Sequence, residues 1–268
     1  MSCRLLGSEL IERSFMSLET LVLLFLAGLS AGFIDAVAGG GGLISIPSLL
    51  WAGLTPQMAL GTNKMQSTWG TAMAVRKYMK AGLVRWKDVQ GAAVVTFVAA
   101  SIGTWVVTQI SNEVLKLIVP WLLLAIAIYV VLSPKLGVQA GKAKLSATAF
   151  AGIMGVTLGF YDGFFGPGTG TFWTVAGVSL LGLALPQAAA YTKVVNLSSN
   201  LAALGVFLIS DRIHYPIAMS MIAGQLIGGR LGAGMAIKHG AGFIRFMFLA
   251  VVFCMILKLF WEQLEAGA

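Results

Sequence analysis

The sequence predicts an all-α protein: a polytopic transmembrane bundle of about eight to ten helical segments, arranged as two five-segment repeats with short or broken helices at the centre. Three observations predict it. The chain is 58% hydrophobic and only 10% charged, long apolar runs follow one another, and a polar motif occurs twice. A soluble domain averages about 25% charged residues. So few charges cannot cover a water-exposed surface, and we expect lipid around most of the protein.

Ten apolar runs can be read along the 268 residues. They cover about 18–38, 42–54, 57–75, 89–110, 114–132, 146–165, 170–184, 187–209, 215–237 and 241–260. A spanning helix needs roughly 20 apolar residues. The second and seventh runs are therefore too short for a complete helical crossing and are expected to be broken or re-entrant helices.

Basic residues gather between the runs and give the chain a formal net charge of +8. One group precedes the fourth run and the other precedes the sixth: Arg76, Lys77, Lys80, Arg85 and Lys87, then Lys135, Lys142 and Lys144. Such clusters are typical of the cytoplasmic loops of membrane proteins. We therefore expect a lipid bilayer around this protein and no nucleic acid as partner.

The two halves of the chain resemble each other. Gly32-Phe33-Ile34-Asp35 recurs as Gly159-Phe160-Tyr161-Asp162 after 127 residues, and Lys64 recurs as Lys193 after 129. The predicted organisation is a tail at 1–17, a repeat at 18–133, a cytoplasmic loop at 134–145, a repeat at 146–260 and a tail at 261–268. If all five runs of a half cross the membrane, the repeats are inverted; if the short runs are re-entrant, they are parallel. We favour the inverted arrangement.

Most charged residues lie near the ends of the runs, but five do not: Asp35, Lys64, Asp162, Lys193 and Arg230. A charge at the centre of a bilayer costs about 2.5–3.5 kcal/mol on insertion scales. These residues either pair as structural ties, Lys64 with Asp35 and Lys193 with Asp162, or surround a central site, and both roles are compatible. Asp35 and Asp162 are candidates for carrying protons. Arg230 is either a third anion contact or a side chain that reaches the interface.

Each half also contains a glycine-rich segment directly after its aspartate. The candidate binding residues there are Gly39, Gly40, Gly41 and Gly42 in the first half, and Gly166, Gly168, Thr169 and Gly170 in the second. Glycine costs about 1 kcal/mol in a helix interior, so both helices are expected to break. The short helix that follows each break then presents unpaired N–H groups and a positive dipole end, which together favour an anion.

Each buried lysine is flanked by polar side chains. Asn63 and Gln66 accompany Lys64, and Thr192 and Asn196 accompany Lys193. On a helix, Asn63 shares a face with Ser67, and Asn196 shares a face with Asn200. An ammonium group surrounded by amides and hydroxyls suits an oxyanion, so these residues are predicted to orient the ligand.

The sequence carries no convincing motif of a common enzyme. It has no HExxH, its one GxSxG spacing, Gly28 to Gly32, lies within the first apolar run, and the four-glycine run is not followed by the Gly-Lys-Ser/Thr of a phosphate-binding loop. Cys3 and Cys254 stand at opposite ends of the chain, without a CxxC motif. We therefore expect no enzymatic activity, no cofactor and no metal site.

Two segments carry a resemblance to a known family. Residues 31–42 and 61–66 resemble the first-repeat signature of the sulfite exporter TauE/SafE family, and residues 159–170 resemble its second-repeat counterpart. The resemblance extends from about residue 20 to 260 and is greatest to the branch named probable membrane transporters. It implies a multi-pass protein of the bacterial inner membrane that moves sulfite or a small organosulfur anion such as a sulfonate.

The residues and the resemblance lead to one hypothesis. The protein is predicted to be a secondary transporter whose small anion binds near the membrane midplane, between the two repeats. An anion channel that uses the same residues is the alternative. A proton or another ion is a candidate coupling partner, and a homodimer is plausible for so small a transporter.

Overall fold

The computed structural model describes residues 18–132 and 141–266, with side chains except at 126–132, 241, 242, 244, 245 and 247–266. The predicted tail at 1–17, residues 134–140 of the predicted loop and the last two residues lie outside this part. The described chain forms nine helices and no strand, which confirms the all-α prediction. The helices are α1 (Leu18–Ala38), α2 (Gly42–Trp51), α3 (Pro56–Lys80), α4 (Trp86–Gln109), α5 (Asn112–Leu132), α6 (Ala147–Phe164), α7 (Thr169–Leu181), α8 (Leu185–Ile209) and α9 (Tyr215–Ala266).

Local sequence explains where several helices begin and break. Pro56 and Pro186 stand in the first turns of α3 and α8, where a missing N–H costs nothing and the fixed φ suits a helix. Ser146 caps α6 by accepting a hydrogen bond from the Ala149 N–H at 3.2 Å. Gly240 has φ 65° and ψ −151° and divides α9 in two, between the ninth and tenth apolar runs.

The outer surface of the bundle is apolar. Among the described residues, three helices are both long and apolar enough to cross a membrane, namely α1, α4 and α8. Large apolar side chains stand exposed along the outer face of α4: Val94, Phe97, Val98, Ile102 and Trp105. A water-soluble monomer rarely exposes so large an apolar stripe. This surface is what a bilayer covers.

Glycine contacts join α1 to α9 at close range. A Cβ on Gly28 would lie 2.6 Å from the carbonyl oxygen of Met221, and a Cβ on Gly32 would lie 2.6 Å from Oε1 of Gln225. Small residues of this kind let membrane helices approach closely. Because the contacts advance together along both chains, α1 and α9 run in the same direction.

The same arrangement joins α6 to α4 on the other side of the bundle. A Cβ on Gly155 would lie 2.8 Å from Val95, and one on Gly159 would lie 2.9 Å from Cα of Thr96. These two helices are therefore also parallel. Helix α1 of the first half thus packs along α9 of the second half, and α6 of the second half packs along α4 of the first. The two halves therefore interlock.

Two further contacts relate the directions of the halves. Gly61 of α3 contacts Arg212, just before α9, and Gly70 contacts Gln225. Helix α3 is therefore parallel to α9 and, in consequence, to α1. Gln57, at the start of α3, donates from Nε2 to the carbonyl of Ile110 at the end of α4 at 2.6 Å. Helix α4 therefore runs against α3.

Since α6 is parallel to α4, helix α6 runs opposite to α1. Opposite directions of equivalent helices are what inverted repeats require, so the geometry favours that arrangement over the parallel one. The parallel course of α4 and α6 also puts their N-termini at the same end of the bundle. The basic residues that precede α4 and the described Lys142 and Lys144 before α6 consequently lie at one end, as the positive-inside pattern requires.

Candidate functional site

The two buried lysines occupy matching positions on two central helices. Lys64 comes eight residues after Pro56, and Lys193 comes eight residues after Leu185. Helices α3 and α8 pack against each other, and the two lysines are only 2% and 1% exposed. A charge so deep in an apolar bundle needs a partner of opposite sign.

Each lysine pairs with the aspartate of the other half. The Nζ atom of Lys64 lies 2.7 Å from Oδ1 of Asp162, and the Nζ atom of Lys193 lies 3.0 Å from Oδ2 of Asp35. The interpretation that each lysine pairs within its own repeat is therefore wrong. The physical reason is the interlocking of the halves, which turns each broken helix toward the lysine-bearing helix of the opposite half.

The glycine-rich segments break the helices where predicted and touch each other at the centre. Gly39 and Gly166 have φ values of 82° and 98°, a left-handed backbone that glycine adopts most readily. A Cβ on Gly39 would lie 2.5 Å from the carbonyl carbon of Gly170. No side chain fits at this contact, so the two backbones meet directly.

The short helices after the breaks are held by equivalent hydroxyl groups. Ser45 of α2 donates to the Gly41 carbonyl at 3.1 Å, and Thr174 of α7, 129 residues later, donates to the Gly170 carbonyl at 2.8 Å. Neither helix has a side-chain cap at its N-terminus. Backbone bonds close part of each first turn, since Leu43 and Ile44 donate to the carbonyls of Gly40 and Gly41, and Thr169 donates to that of Gly166.

The same two hydroxyls reach the lysine-bearing helices. Ser45 donates to Oδ1 of Asn63 at 2.5 Å, and Thr174 and Thr192 are 3.1 Å apart in the equivalent place. Asn63 and Thr192 each immediately precede a lysine. This repeated bond fixes each short helix to the long helix of its own half and so sets the breaks beside the ion pairs.

Between the ion pairs lies a polar cavity with a volume of about 30 Å³. It brings together nine of the predicted site residues with two others: Asp35, Gly39, Gly42, Asn63, Lys64, Asp162, Gly166, Gly170 and Asn196, with Ser67 and Asn200. Residues from both halves of the chain therefore form one site. Within the described part of the chain, no group of three or more His, Cys, Asp or Glu side chains could hold a metal ion.

Several predicted residues stand next to the cavity and support its walls. Gln66 donates to Oδ1 of Asn63 at 2.8 Å, and Thr192 is bonded to Thr174 as described above. Thr169 donates to the Gly166 carbonyl at 2.6 Å. The lining also leaves out Lys193, which is bonded to Asp35 of the lining, and Gly40, Gly41 and Gly168, which belong to the adjoining turns.

Arg230 does not belong to the site. It is exposed on α9, and its carbonyl accepts a hydrogen bond from Nζ of Lys77 at 2.8 Å. Of the two interpretations of this arginine, the structure favours a side chain directed to the outside of the bundle.

The predicted set omitted polar residues that complete the site. Asn200 accepts a hydrogen bond from Lys64 at 3.3 Å, and Ser199 donates a short one to Oδ2 of Asp162. Ser67 lines the cavity one turn after Asn63. The i, i+4 spacing of Ser67 and Asn200 from their amide neighbours was a usable signal in the sequence. Ser45 and Ser199 had no comparable signal, because serine is common in apolar helices.

Two amide groups at the site are incompletely bonded. Among the described residues, Oδ1 of Asn196 and Oε1 of Gln66 are buried without a hydrogen-bond partner. Buried polar atoms are nearly always bonded in folded proteins. Rotation of the Asn196 amide would present its NH₂ group in place of its oxygen, so this residue can offer a donor or an acceptor to a ligand in the cavity.

Comparison with known proteins decides the family. Residues 24–259 match the family described as "Sulfite exporter TauE/SafE". The chain belongs to the sulfite exporter TauE/SafE family. Its residues Asp35, Lys64, Asp162 and Lys193 all lie within the matched range.

The relatives of this TauE/SafE protein are named as transporters. A "Probable membrane transporter protein" of Haemophilus influenzae is 41% identical over 248 residues, which are 92% of this chain and 97% of the relative. The "Probable membrane transporter protein YfcA" of Escherichia coli K12 is 37% identical over 240 residues, 90% of this chain and 89% of the relative. No solved structure matches the chain at a significant level. This TauE/SafE protein is a membrane transporter.

Proposed function

We propose that this protein is a secondary transporter of a small anion in a bacterial inner membrane, with sulfite, an organosulfonate or a related organosulfur oxyanion as the substrate. The observation that carries the proposal is a polar cavity lined by the buried Lys64 and by glycines in the first turns of two short helices without side-chain caps, with the buried Lys193 bonded to Asp35 of the lining. The family description, sulfite exporter, supports the choice of oxyanion.

The sign of the ligand follows from the charges around the cavity. The two ion pairs cancel in formal charge, with Lys64, Asp35 and Asp162 in the lining and Lys193 bonded to Asp35. The N-termini of α2 and α7 then add about half an elementary positive charge each. These partial charges favour an anion over a cation at the cavity.

The lining also suits oxygen atoms. Amide and hydroxyl groups of Asn63, Ser67, Asn196 and Asn200 line the cavity together with Lys64. The ammonium groups and these polar groups can replace the water that an oxyanion loses on entering the membrane.

The size of the cavity favours a transporter over a channel. About 30 Å³ is of the order of one water molecule, so an oxyanion cannot enter until at least one ion pair separates. Transport through such a site requires a conformational change for each ion carried, which is how a carrier works. A channel would show high unitary currents in a planar bilayer, and their observation would replace the carrier proposal.

The experiment is uptake of sulfite and methanesulfonate into liposomes that contain the purified protein. We expect Lys64→Ala and Lys193→Ala to lower uptake at least about tenfold, because each removes a charge-assisted contact with the anion worth about 1.5–3 kcal/mol. Lys87→Ala, at an exposed position, is the matched control and should transport normally.

Folding must be separated from transport in this experiment. Lys64→Ala leaves the buried Asp162 without its partner, so Lys64→Ala/Asp162→Ala is included, which removes both charges. Insertion and elution in detergent identify variants that fold. Normal uptake by a folded double mutant or by Lys193→Ala would contradict the proposal, and so would the absence of uptake of either anion by the wild-type protein.

A further inference from the structure

The two ion pairs at the cavity have no formal net charge. Asp35, Asp162 and Lys64 line the cavity, Lys193 is bonded to Asp35 from outside the lining, and each ammonium group is thus bonded to one carboxylate. An anion that enters this site changes its total charge from zero to −1. The helix N-termini attract and orient the anion, but their partial charges do not alter the total charge that moves through the membrane.

A buried excess charge is costly in a bilayer. The loaded site must be carried past lipid with little water around it, and an uncompensated charge opposes that step. A proton on one aspartate restores neutrality. The carboxylate becomes a carboxylic acid, its lysine keeps its positive charge, and the anion takes the place of the carboxylate beside that lysine.

The two aspartates are not equally suited to take the proton. The Asp162 side chain is 6% exposed and is bonded to Lys64 and to Ser199, whereas the Asp35 side chain is 19% exposed and is bonded to Lys193. The residue equivalent to Ser199 in the first half is Gly70, 129 residues earlier, which has no hydroxyl. Asp35 is thus the carboxylate that is closer to water and held by fewer groups.

The charged and titratable groups around Asp35 come from several helices. Lys193 faces it from α8, Lys64 and Tyr78 come from α3, and Asp162 comes from α6 across the cavity. On α9, His239 contacts Phe243, which packs on Phe33 of α1. The contacts described for α2 and α7 near this point come from Ser45 and Thr171, which do not titrate near neutral pH.

We propose that this protein carries one proton with each monovalent anion, that Asp35 is the residue that takes the proton, and that the released Lys193 binds the anion. Lys64 and Asp162 stay paired during this step. The proton comes from the aqueous phase with the anion and leaves on the other side, so the cycle moves no net charge. This inference rests on the proposed anion transport and specifies its coupling.

The first test uses the unmodified protein in liposomes with methanesulfonate, whose single negative charge does not change with pH near neutrality. An inward proton gradient should accelerate uptake several-fold. A potassium diffusion potential set with valinomycin, at equal pH on both sides, should leave the rate unchanged. Uptake that follows the potential and ignores the pH gradient would overturn the coupling while anion transport stands.

The second test uses two matched carboxylate-to-amide variants and a control. Asp35→Asn should lose the acceleration by the pH gradient yet retain exchange of internal for external methanesulfonate, because exchange needs only the loaded site. Asp162→Asn should lose both. Asp211→Asn, at an exposed position outside the site, should behave as the wild type.

The outcomes separate the two proposals. If the wild-type protein moves neither methanesulfonate nor sulfite, the proposed anion transport fails, and the coupling fails with it. If the wild type transports and Asp35→Asn keeps its full response to the pH gradient, only the role of Asp35 is overturned. If Asp35→Asn does not fold, the response of the unmodified protein to pH and potential still decides the stoichiometry.

Discussion

The two ion pairs at the centre of this transporter are made by equivalent residues, yet their surroundings differ. Lys64–Asp162 spans 2.7 Å with side chains 2% and 6% exposed, and Lys193–Asp35 spans 3.0 Å with side chains 1% and 19% exposed. Asn200 and Ser199 add bonds to the first pair. The first pair is therefore the more closed of the two, although it lines the cavity, and the carboxylate of the second pair is more exposed.

The difference indicates that the two ion pairs have different roles. The duplicated residues form two similar ion pairs, but one neighbour differs. Ser199 donates a hydrogen bond to Asp162, whereas Gly70 at the equivalent position has no hydroxyl, so the pair of Asp162 is held more tightly. The tighter pair holds the halves together, and the looser pair is free to respond to a ligand. The following predictions test this comparison, from the largest expected effect to the smallest.

The largest effect is expected from neutralising the closed pair. Asp162→Asn leaves the ammonium group of Lys64 buried without a counter-charge, which should cost about 3–5 kcal/mol of stability. Asp35→Asn likewise leaves Lys193 without a counter-charge, but it should cost about 1–3 kcal/mol less than Asp162→Asn, because only Asp162 also accepts a hydrogen bond from Ser199. Thermal unfolding in detergent, followed by tryptophan fluorescence, measures both. Equal losses for the two variants would remove the distinction between the pairs.

A smaller effect is expected from removing the hydroxyl that distinguishes them. Ser199→Ala deletes one hydrogen bond to a buried carboxylate, so a loss of about 1–3 kcal/mol is expected. The stability gap between Asp162→Asn and Asp35→Asn should narrow when both are made in the Ser199→Ala background. Ser101→Ala, whose hydroxyl bonds only to the Phe97 carbonyl on its own helix, is the control. An unchanged gap would show that Ser199 does not cause the asymmetry.

The smallest effect is expected at an ion pair outside the bundle. Arg85 and Asp88 are 2.8 Å apart with side chains 79% and 50% exposed, and exposed pairs contribute little and are screened by salt. Asp88→Asn should leave both the melting temperature in 150 mM salt and anion uptake within experimental error. A measurable loss of either would mean that the contribution of an ion pair to stability or transport does not follow from the exposure of its side chains.

Much of the helical architecture could be predicted, because apolar runs in a membrane are bounded by charge, glycine and proline. The run at 18–38 coincides with α1. The run at 57–75 stops short of α3, which continues to Lys80. The missed turn carries basic residues, which interrupt an apolar pattern but are favourable at a helix C-terminus.

Site residues could be predicted where a charge is costly inside an apolar run. They could not be predicted where only the arrangement of the helices in space decides which residues meet. Asp35, Lys64, Asp162 and Lys193 stand out because charge inside an apolar run requires a reason. Which lysine meets which aspartate could not be read from the sequence. The repeat offsets are compatible with pairing inside a half or across the halves, and only the interlocking of the two halves in space selects the second.

The crossed ion pairs have a consequence for how the protein is made. The first half leaves the ribosome while the counter-ions of Asp35 and Lys64 are still untranslated, since Lys193 and Asp162 belong to the second half. Neither half can complete its own charge pairing during insertion. We expect α1 and α3 to stay in contact with water or with the insertion machinery until α6 and α8 have been inserted. The charges of Asp35 and Lys64 are therefore neutralised only late in the assembly of this transporter, when α6 and α8 pack against the earlier helices.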